Sequence, residues 1–179
     1  TNLLGAARVT QAALPAMRER GRGAVVYVSS IGARMPIPML GFYQASKAGM
    51  SVLAEALGIE CRPFGIRVAL IEPGVVRSDF SLSVRQTGAA PTGRGPYRDL
   101  LPAVRAGIRR LREHFPTGPR DVAAAVVAAA TDEAWPFRTI VGGDAEIVER
   151  ERSRRPDEAF QDALVRMLGL DWPRSGARR

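Results

Sequence analysis

Lys47 is the only lysine in a chain whose lysines and arginines together number 26. It stands four residues after a tyrosine, in Tyr43-Gln44-Ala45-Ser46-Lys47. Lysine is a compact ammonium with rotatable donors, whereas arginine is a wide planar fork. A lone lysine in an arginine-biased chain therefore points to a task that arginine cannot perform. On a helix, positions four apart share a face. A phenol titrates near pH 10, roughly three units too high for acid–base work at neutrality, and a neighbouring ammonium stabilises the phenolate and lowers that value. Tyr43 could then exchange a proton with an alcohol or carbonyl oxygen. Ser30 lies 13 residues before Tyr43, and its hydroxyl could orient and polarise the same oxygen.

These roles require particular elements. Residues 42–62 must be a helix, and Ala48, Val52, Leu53, Ala56, Leu57 and Ile59 supply its apolar surface before Pro63 and Gly65 end it. Residues 24–29 form a short, continuous apolar run with β-branched content behind Gly21 and Gly23, as expected of a strand buried on both faces. Residues 66–71 repeat that pattern and stop at Pro73-Gly74. Strand, helix and strand at this spacing make a right-handed βαβ crossover in a parallel sheet. Ser30 then sits at the C-terminal end of the first strand, where open α/β sheets place their sites.

Around this unit, residues 1–20 read as a helix with Pro15 as a bend point. Residues 79–96 read as a Gly-, Pro- and Ser-containing loop, 97–115 and 119–132 as helices, 139–143 as a third strand and 156–168 as a final helix. The formal net charge is +8 and the pI about 11.0. The arginines are scattered rather than interleaved with a recognition motif, which argues against nucleic-acid binding. Cys61 is the single cysteine, so neither an internal disulfide nor a cysteine metal cluster can form. It reads as a reduced, half-buried helix residue. No set of residues has metal-ligand spacing. With no signal peptide and no apolar run long enough to span a bilayer, a cytoplasmic location is the default expectation. His114, the sole histidine, reads as a helix surface residue.

Tyr-x-x-x-Lys alone could occur in any helix. Here it is accompanied, in order, by Asn2-Leu-Leu-Gly5, the strand end Ser29-Ser30, Ala45-Ser46-Lys47-Ala48, the passage Pro63-Phe64-Gly65-Ile66-Arg67-Val68, and Pro73-Gly74-Val75-Val76-Arg77-Ser78. In this the chain resembles the short-chain dehydrogenase/reductase superfamily in its single-domain form, over roughly residues 1–80. The resemblance implies an α/β fold, a Rossmann-like doubly wound parallel sheet of which this is the C-terminal portion. It divides the chain into a catalytic half (1–78), a substrate lid or loop (79–118), a helix–strand–helix portion (119–170) and a basic tail (171–179). It further implies Tyr43 as the acid/base, Lys47 as holder of the nicotinamide ribose, and Ser30 as the group positioning the substrate oxygen. Asn2, the only asparagine, would support a water chain from Lys47; an ordinary helix-start residue is the alternative. Pro73, Gly74 and Val76 would bound the nicotinamide end, with Ser78 where the family usually has threonine. The cofactor would be NAD or NADP, not distinguished here, and the partner a small, fairly hydrophobic alcohol or ketone. A homodimer or homotetramer is expected by analogy.

The Gly-rich turn that the family sets against the pyrophosphate is not present after any strand of these residues. The expectation is therefore that the chain is the C-terminal part of a longer protein, and that the 179 residues alone do not turn over. The competing readings are an extended-type epimerase or dehydratase, which shares Tyr-x-x-x-Lys, and a catalytically dead cofactor-binding relative. The placement of Ser30 argues against the former, and intact Ser30, Tyr43 and Lys47 against the latter. The passage 141–145 is similar to a segment of relatives acting on steroid- or retinoid-like substrates.

Overall fold

A computed structural model of the chain describes residues 1–79 and 97–170. The elements run α1 (Leu4–Arg20), β1 (Gly23–Val28), a 3-10 turn (Ile31–Ala33), α2 (Gly41–Glu60), a second 3-10 turn (Arg62–Phe64), β2 (Ile66–Pro73), α3 (Leu100–His114), α4 (Pro119–Thr131), β3 (Arg138–Val141), α5 (Gly143–Arg154) and α6 (Asp157–Met167). The three strands form one parallel sheet in the order β1-β2-β3.

Strand β2 is the centre of the core, and its alternation explains the layers. Successive strand residues point to opposite faces. Ile66, Val68 and Leu70 pack with Leu14 of α1, Tyr27 of β1, and Met50 and Ala54 of α2. Ala69 and Ile71 pack on the other face with Ala125 and Ala129 of α4. Helices thus cover both faces, which makes the fold α/β and doubly wound. A strand so enclosed needs a continuous apolar sequence. Strand β1 departs from the expectation of full burial: most of its residues are only half-buried. It pairs with β2 alone among the described residues.

Two left-handed glycines set the helix-to-strand turns. Gly21 (φ 64°) ends α1 and Gly65 (φ 65°) precedes β2. A Cβ on Gly65 would lie 2.2 Å from the Gly21 carbonyl oxygen, so the two turns lie against each other. Pro15 lies inside α1 on its exposed side, where the Gln11 carbonyl left without an amide partner can meet water. Cys61 is fully buried in the α1/α2 core, against the half-buried expectation. No helix among the described residues is long and apolar enough to cross a membrane.

The C-terminal third holds one helix more than its sequence pattern conveys. Gly142-Gly143 looks like a strand end, yet Gly143 begins α5, which is rich in charge and has little apolar periodicity. Asp144 and Glu146 in its first turn and Arg152 and Arg154 in its last complement the helix dipole. Its buried Ala145 and Val148 join Phe160 and Leu164 of α6 over Ile31 and Met35. Helix α3 begins three residues later than expected, and its apolar stripe is used in packing: Val104 and Leu111 sit against Leu168 and Leu170. The loop expected over most of 79–96 and the tail 171–179 lie outside the described residues.

Leu70 is 0% exposed and touches both α1 and α2 through the same cluster. Leu70→Ala should lower unfolding free energy by about 3 kcal/mol, within the range of buried leucine truncations. Urea titration measures this, and a loss below about 1 kcal/mol would show that this part of the core collapses around the gap.

Candidate active site

The parallel pairing of β1 with β2 continues one residue past the strand, where the Ser29 amide donates to the Ile71 carbonyl (2.8 Å). This sets residues 28–30 beside 71–73 at the C-terminal edge of the sheet. Helix α2 lies across that edge, and its Tyr43–Lys47 turn meets three consecutive residues. Lys47 Nζ donates to the Val28 carbonyl (2.9 Å). Ser29 Oγ donates to the Lys47 carbonyl (3.0 Å). Ser30 is hydrogen-bonded through its side chain to the Tyr43 hydroxyl. Ser30 Oγ also accepts the Gly32 amide (3.0 Å), capping the 3-10 turn and fixing its own rotamer. A Cβ on Gly32 would lie 3.2 Å from Ser30 Oγ and 3.7 Å from Tyr43 Cε1, so the glycine keeps clear the space beside both hydroxyls.

The electrostatics differ from the sequence expectation. Burial raises the Tyr43 phenol above its ordinary value, and the Ser30 hydrogen bond draws it partly back. Burial likewise lowers the Lys47 amine below the usual lysine value. Lysine spacing alone implied a depressed phenol. In the fold the Lys47 amine is directed to the Val28 carbonyl, and desolvation governs both groups.

Asn2 comes to the same turn from α1's N-terminal side. Its side-chain amide donates to Ser46 Oγ (3.1 Å), and Ser46 donates to the Tyr43 carbonyl (2.6 Å). The structure therefore links Asn2 to the Tyr43–Lys47 turn through Ser46.

The second wall is the turn after β2. Pro73 is buried, whereas Gly74, Val76 and Ser78 are half-buried. The Gly74 amide donates to the Val141 carbonyl (2.9 Å), the Val75 amide to Asp144 Oδ2 (2.7 Å) and the Arg77 amide to the Thr117 carbonyl (2.9 Å). Asp144 is only 3% exposed. A Cβ at position 74 would be 2.1 Å from Asp144 Oδ1, so only glycine admits this carboxylate. The passage 141–145 thus supports the Pro73-Gly74 turn from beneath.

Sequence reasoning missed Asp144 and a buried polar line formed by Ser29, Ser51, Glu72 and Arg138. Ser51 Oγ lies 2.9 Å from Ser29 Oγ and 3.0 Å from Glu72 Oε1, and Glu72 Oε2 is 2.6 Å from Arg138 Nη1. Arg138 also pairs with Glu55. Two signals were available: Ser51 continues the Tyr43–Lys47 face at a four-residue step, and Glu72 interrupts an apolar strand just before Pro73.

The model of the family "short chain dehydrogenase" matches residues 1–89. The chain is 33% identical over 167 residues to a 3-ketodihydrosphingosine reductase of Bacteroides thetaiotaomicron, an alignment covering 92% of this chain and 61% of the reductase. Among solved structures, a short-chain dehydrogenase from Streptomyces avermitilis superposes with TM-score 0.66 at 35% identity, covering 96% of this chain and 61% of that one. A Burkholderia cenocepacia short chain dehydrogenase solved in complex with NADP shares the fold, with TM-score 0.64 at 22% identity, over 93% of this chain and 55% of that one. The chain belongs to the short-chain dehydrogenase/reductase superfamily. It spans 61% of the length of the curated reductase.

Burying an ammonium disfavours its charged form, so the sign of a stability effect follows. With the folded value of Lys47 lowered, its stability contribution is present above the unfolded value of 10.5 and is lost as pH falls through the folded value. Relative to Lys47→Met, the wild type should therefore gain stability as pH rises through the folded value of Lys47 toward 10.5. Thermal melts across this range test it, and parallel curves would contradict the burial cost.

Proposed function

We propose that this protein is an oxidoreductase that interconverts a secondary alcohol and its ketone with NAD or NADP, using Tyr43 as acid/base, Lys47 as ribose holder and Ser30 as the group that orients the substrate oxygen. The observation that carries the reading is the Ser30–Tyr43 hydrogen bond at the end of β1, with the Lys47 ammonium held two residues earlier on Val28. Two hydroxyls converging from different elements can hold one oxygen between them.

The donor set fits a nicotinamide dinucleotide. An ammonium has three N–H donors; one is on Val28, and others can serve a ribose diol. Pro73, Gly74, Val76 and Ser78 form the turn that would bound the nicotinamide end, with Ser78 supplying a hydroxyl. The bound nicotinamide supplies or accepts the hydride. The chain's own part is the proton. In ketone reduction the Tyr43 hydroxyl donates to the carbonyl oxygen while Ser30 keeps that oxygen in place. The protonated phenol is the form from which the reducing direction draws its proton; burial raises it further and weakens it as an acid, and the Ser30 hydrogen bond opposes that rise. Asn2, through Ser46, steadies the turn and serves the route by which Tyr43 and Lys47 recover protons.

Residues 1–78 act in this reading as the catalytic half, 79–118 as the segment around the substrate and 119–170 as the support of the cofactor turn. A ketone on an apolar chain is the proposed substrate class, in keeping with the name of the Bacteroides relative, a 3-ketodihydrosphingosine reductase. A homodimer or homotetramer is supported by the apolar residues that α2 leaves open: Phe42 is 94% exposed, Val52 64% and Ile59 67%. Val52→Glu with Ile59→Glu should lower the mass found by light scattering, and an unchanged mass would move the interface elsewhere.

Tyr43→Phe in the intact protein should reduce hydride transfer to an aliphatic ketone by at least about a hundredfold, as expected of a lost general acid. Binding of NADPH or NADH, read by cofactor fluorescence, should stay within a few-fold. Undiminished turnover would remove Tyr43 from the reaction.

A further inference from the structure

Lys47 is held at both ends by adjacent residues of β1: Val28 takes its amine, and Ser29 donates to its carbonyl. Ser29 is buried. Its hydroxyl is in turn met by Ser51, Ser51 by Glu72, and Glu72 by Arg138. Glu72 is 0% exposed, a costly place for a carboxylate unless it is paired and hydrogen-bonded. Arg138 pairs with it from β3, and Ser51 approaches from α2.

We propose that Ser29, Ser51 and Glu72 are positioning residues that set where Lys47 stands relative to the cofactor turn. The inference rests on Lys47 holding the cofactor ribose, as argued above. The geometry gives Glu72 two attachments at once. Through Ser51 and Ser29 it reaches the backbone of Lys47, and through the chain itself it is joined to Pro73-Gly74, the turn proposed for the nicotinamide end. One buried carboxylate therefore ties the two walls of the site together, and Arg138 locks it to the third strand. Two hydroxyl hydrogens serve three oxygen–oxygen contacts here. Ser29 gives its own hydrogen to Lys47, and the single Ser51 hydrogen is shared between Ser29 and Glu72, so Glu72 bears on Ser29 through that divided bond. An apolar core would hold α2 against the sheet as firmly, but nondirectionally. Hydrogen bonds fix the turn along and around the helix axis, the freedom that decides where an ammonium at the helix surface points.

Ser29→Ala removes the donor to Lys47 while leaving Ser51 on Glu72, so it is the variant least harmful to folding. Steady-state kinetics in the intact protein, with NADPH and NADH as cofactors and 2-decanone as probe ketone, provide the test. The expected result is a cofactor KM raised about tenfold, as a small misplacement of a binding group produces, with the ketone KM within twofold. Ser29→Thr, which keeps the hydroxyl on a β-branched residue suited to extended backbone, should restore the cofactor KM. A merely structural role would instead lower kcat through loss of folded enzyme and leave both KM values in place; that result, or failure of Ser29→Thr to restore, overturns the proposal. If the wild type turns over no ketone with either cofactor, the functional reading fails separately. The relay is then judged by the 13Cε resonance of Lys47, assigned by its loss in Lys47→Arg. A shift in Ser29→Ala that Ser29→Thr reverses supports the relay, and an unmoved resonance overturns it.

Discussion

The parallel register of β1 against β2 is the constraint on which the site depends. Once Val28 lies opposite Ile71 and the Ser29 amide reaches the Ile71 carbonyl, the two strands end at one level. Residues 28–30 and 73–76 then leave the sheet side by side at its C-terminal edge. A slip of one residue would turn Leu70 and Ile71 to the wrong faces and move Ser30 away from Tyr43. The strict alternation of β2 between the α1/α2 core and the α4 core prevents that slip, because each face demands its own residues.

The edge of the sheet is also where polar groups must be buried. Ser29, Glu72 and Asp144 are buried within a few residues of the strand ends, and Ser51 is buried in α2 beside them. Each finds a partner from another element: the Lys47 carbonyl for Ser29, Glu72 for Ser51, Arg138 for Glu72 and the Val75 amide for Asp144. Glycine is needed where these groups come closest to the backbone, at Gly74 against Asp144. The same burial raises the Tyr43 phenol and lowers the Lys47 amine.

Much of the βαβ unit was legible because its signals are local. Apolar runs, glycine stops and the four-residue step from Tyr43 to Lys47 gave two strands and a helix within a few residues of their observed bounds. Helix α5 was not legible, since a charged helix whose few buried residues are Ala145 and Val148 has no strong period. The half-burial of β1 had no local signal either: it follows from β1 pairing with β2 alone among the described residues. The apolar stripe of α3 was visible, but its partners Leu168 and Leu170 stand far along the chain.

Sequence alone determined the residue types at the site and the element each one occupies, because spacing along a helix or past a strand end is a one-dimensional property. It placed Ser30, Tyr43 and Lys47 in one neighbourhood, and Pro73-Gly74 at the end of the next strand. Only the tertiary structure decided what each group meets. The Lys47 amine meets Val28, Asn2 meets Ser46, the Val75 amide meets Asp144, and Glu72 meets Ser51 and Arg138. Those pairings bring together residues as far apart as 69 positions in the chain. Burial, which sets the direction of both shifted groups, depends on such long-range packing and has no signature in any single stretch of sequence.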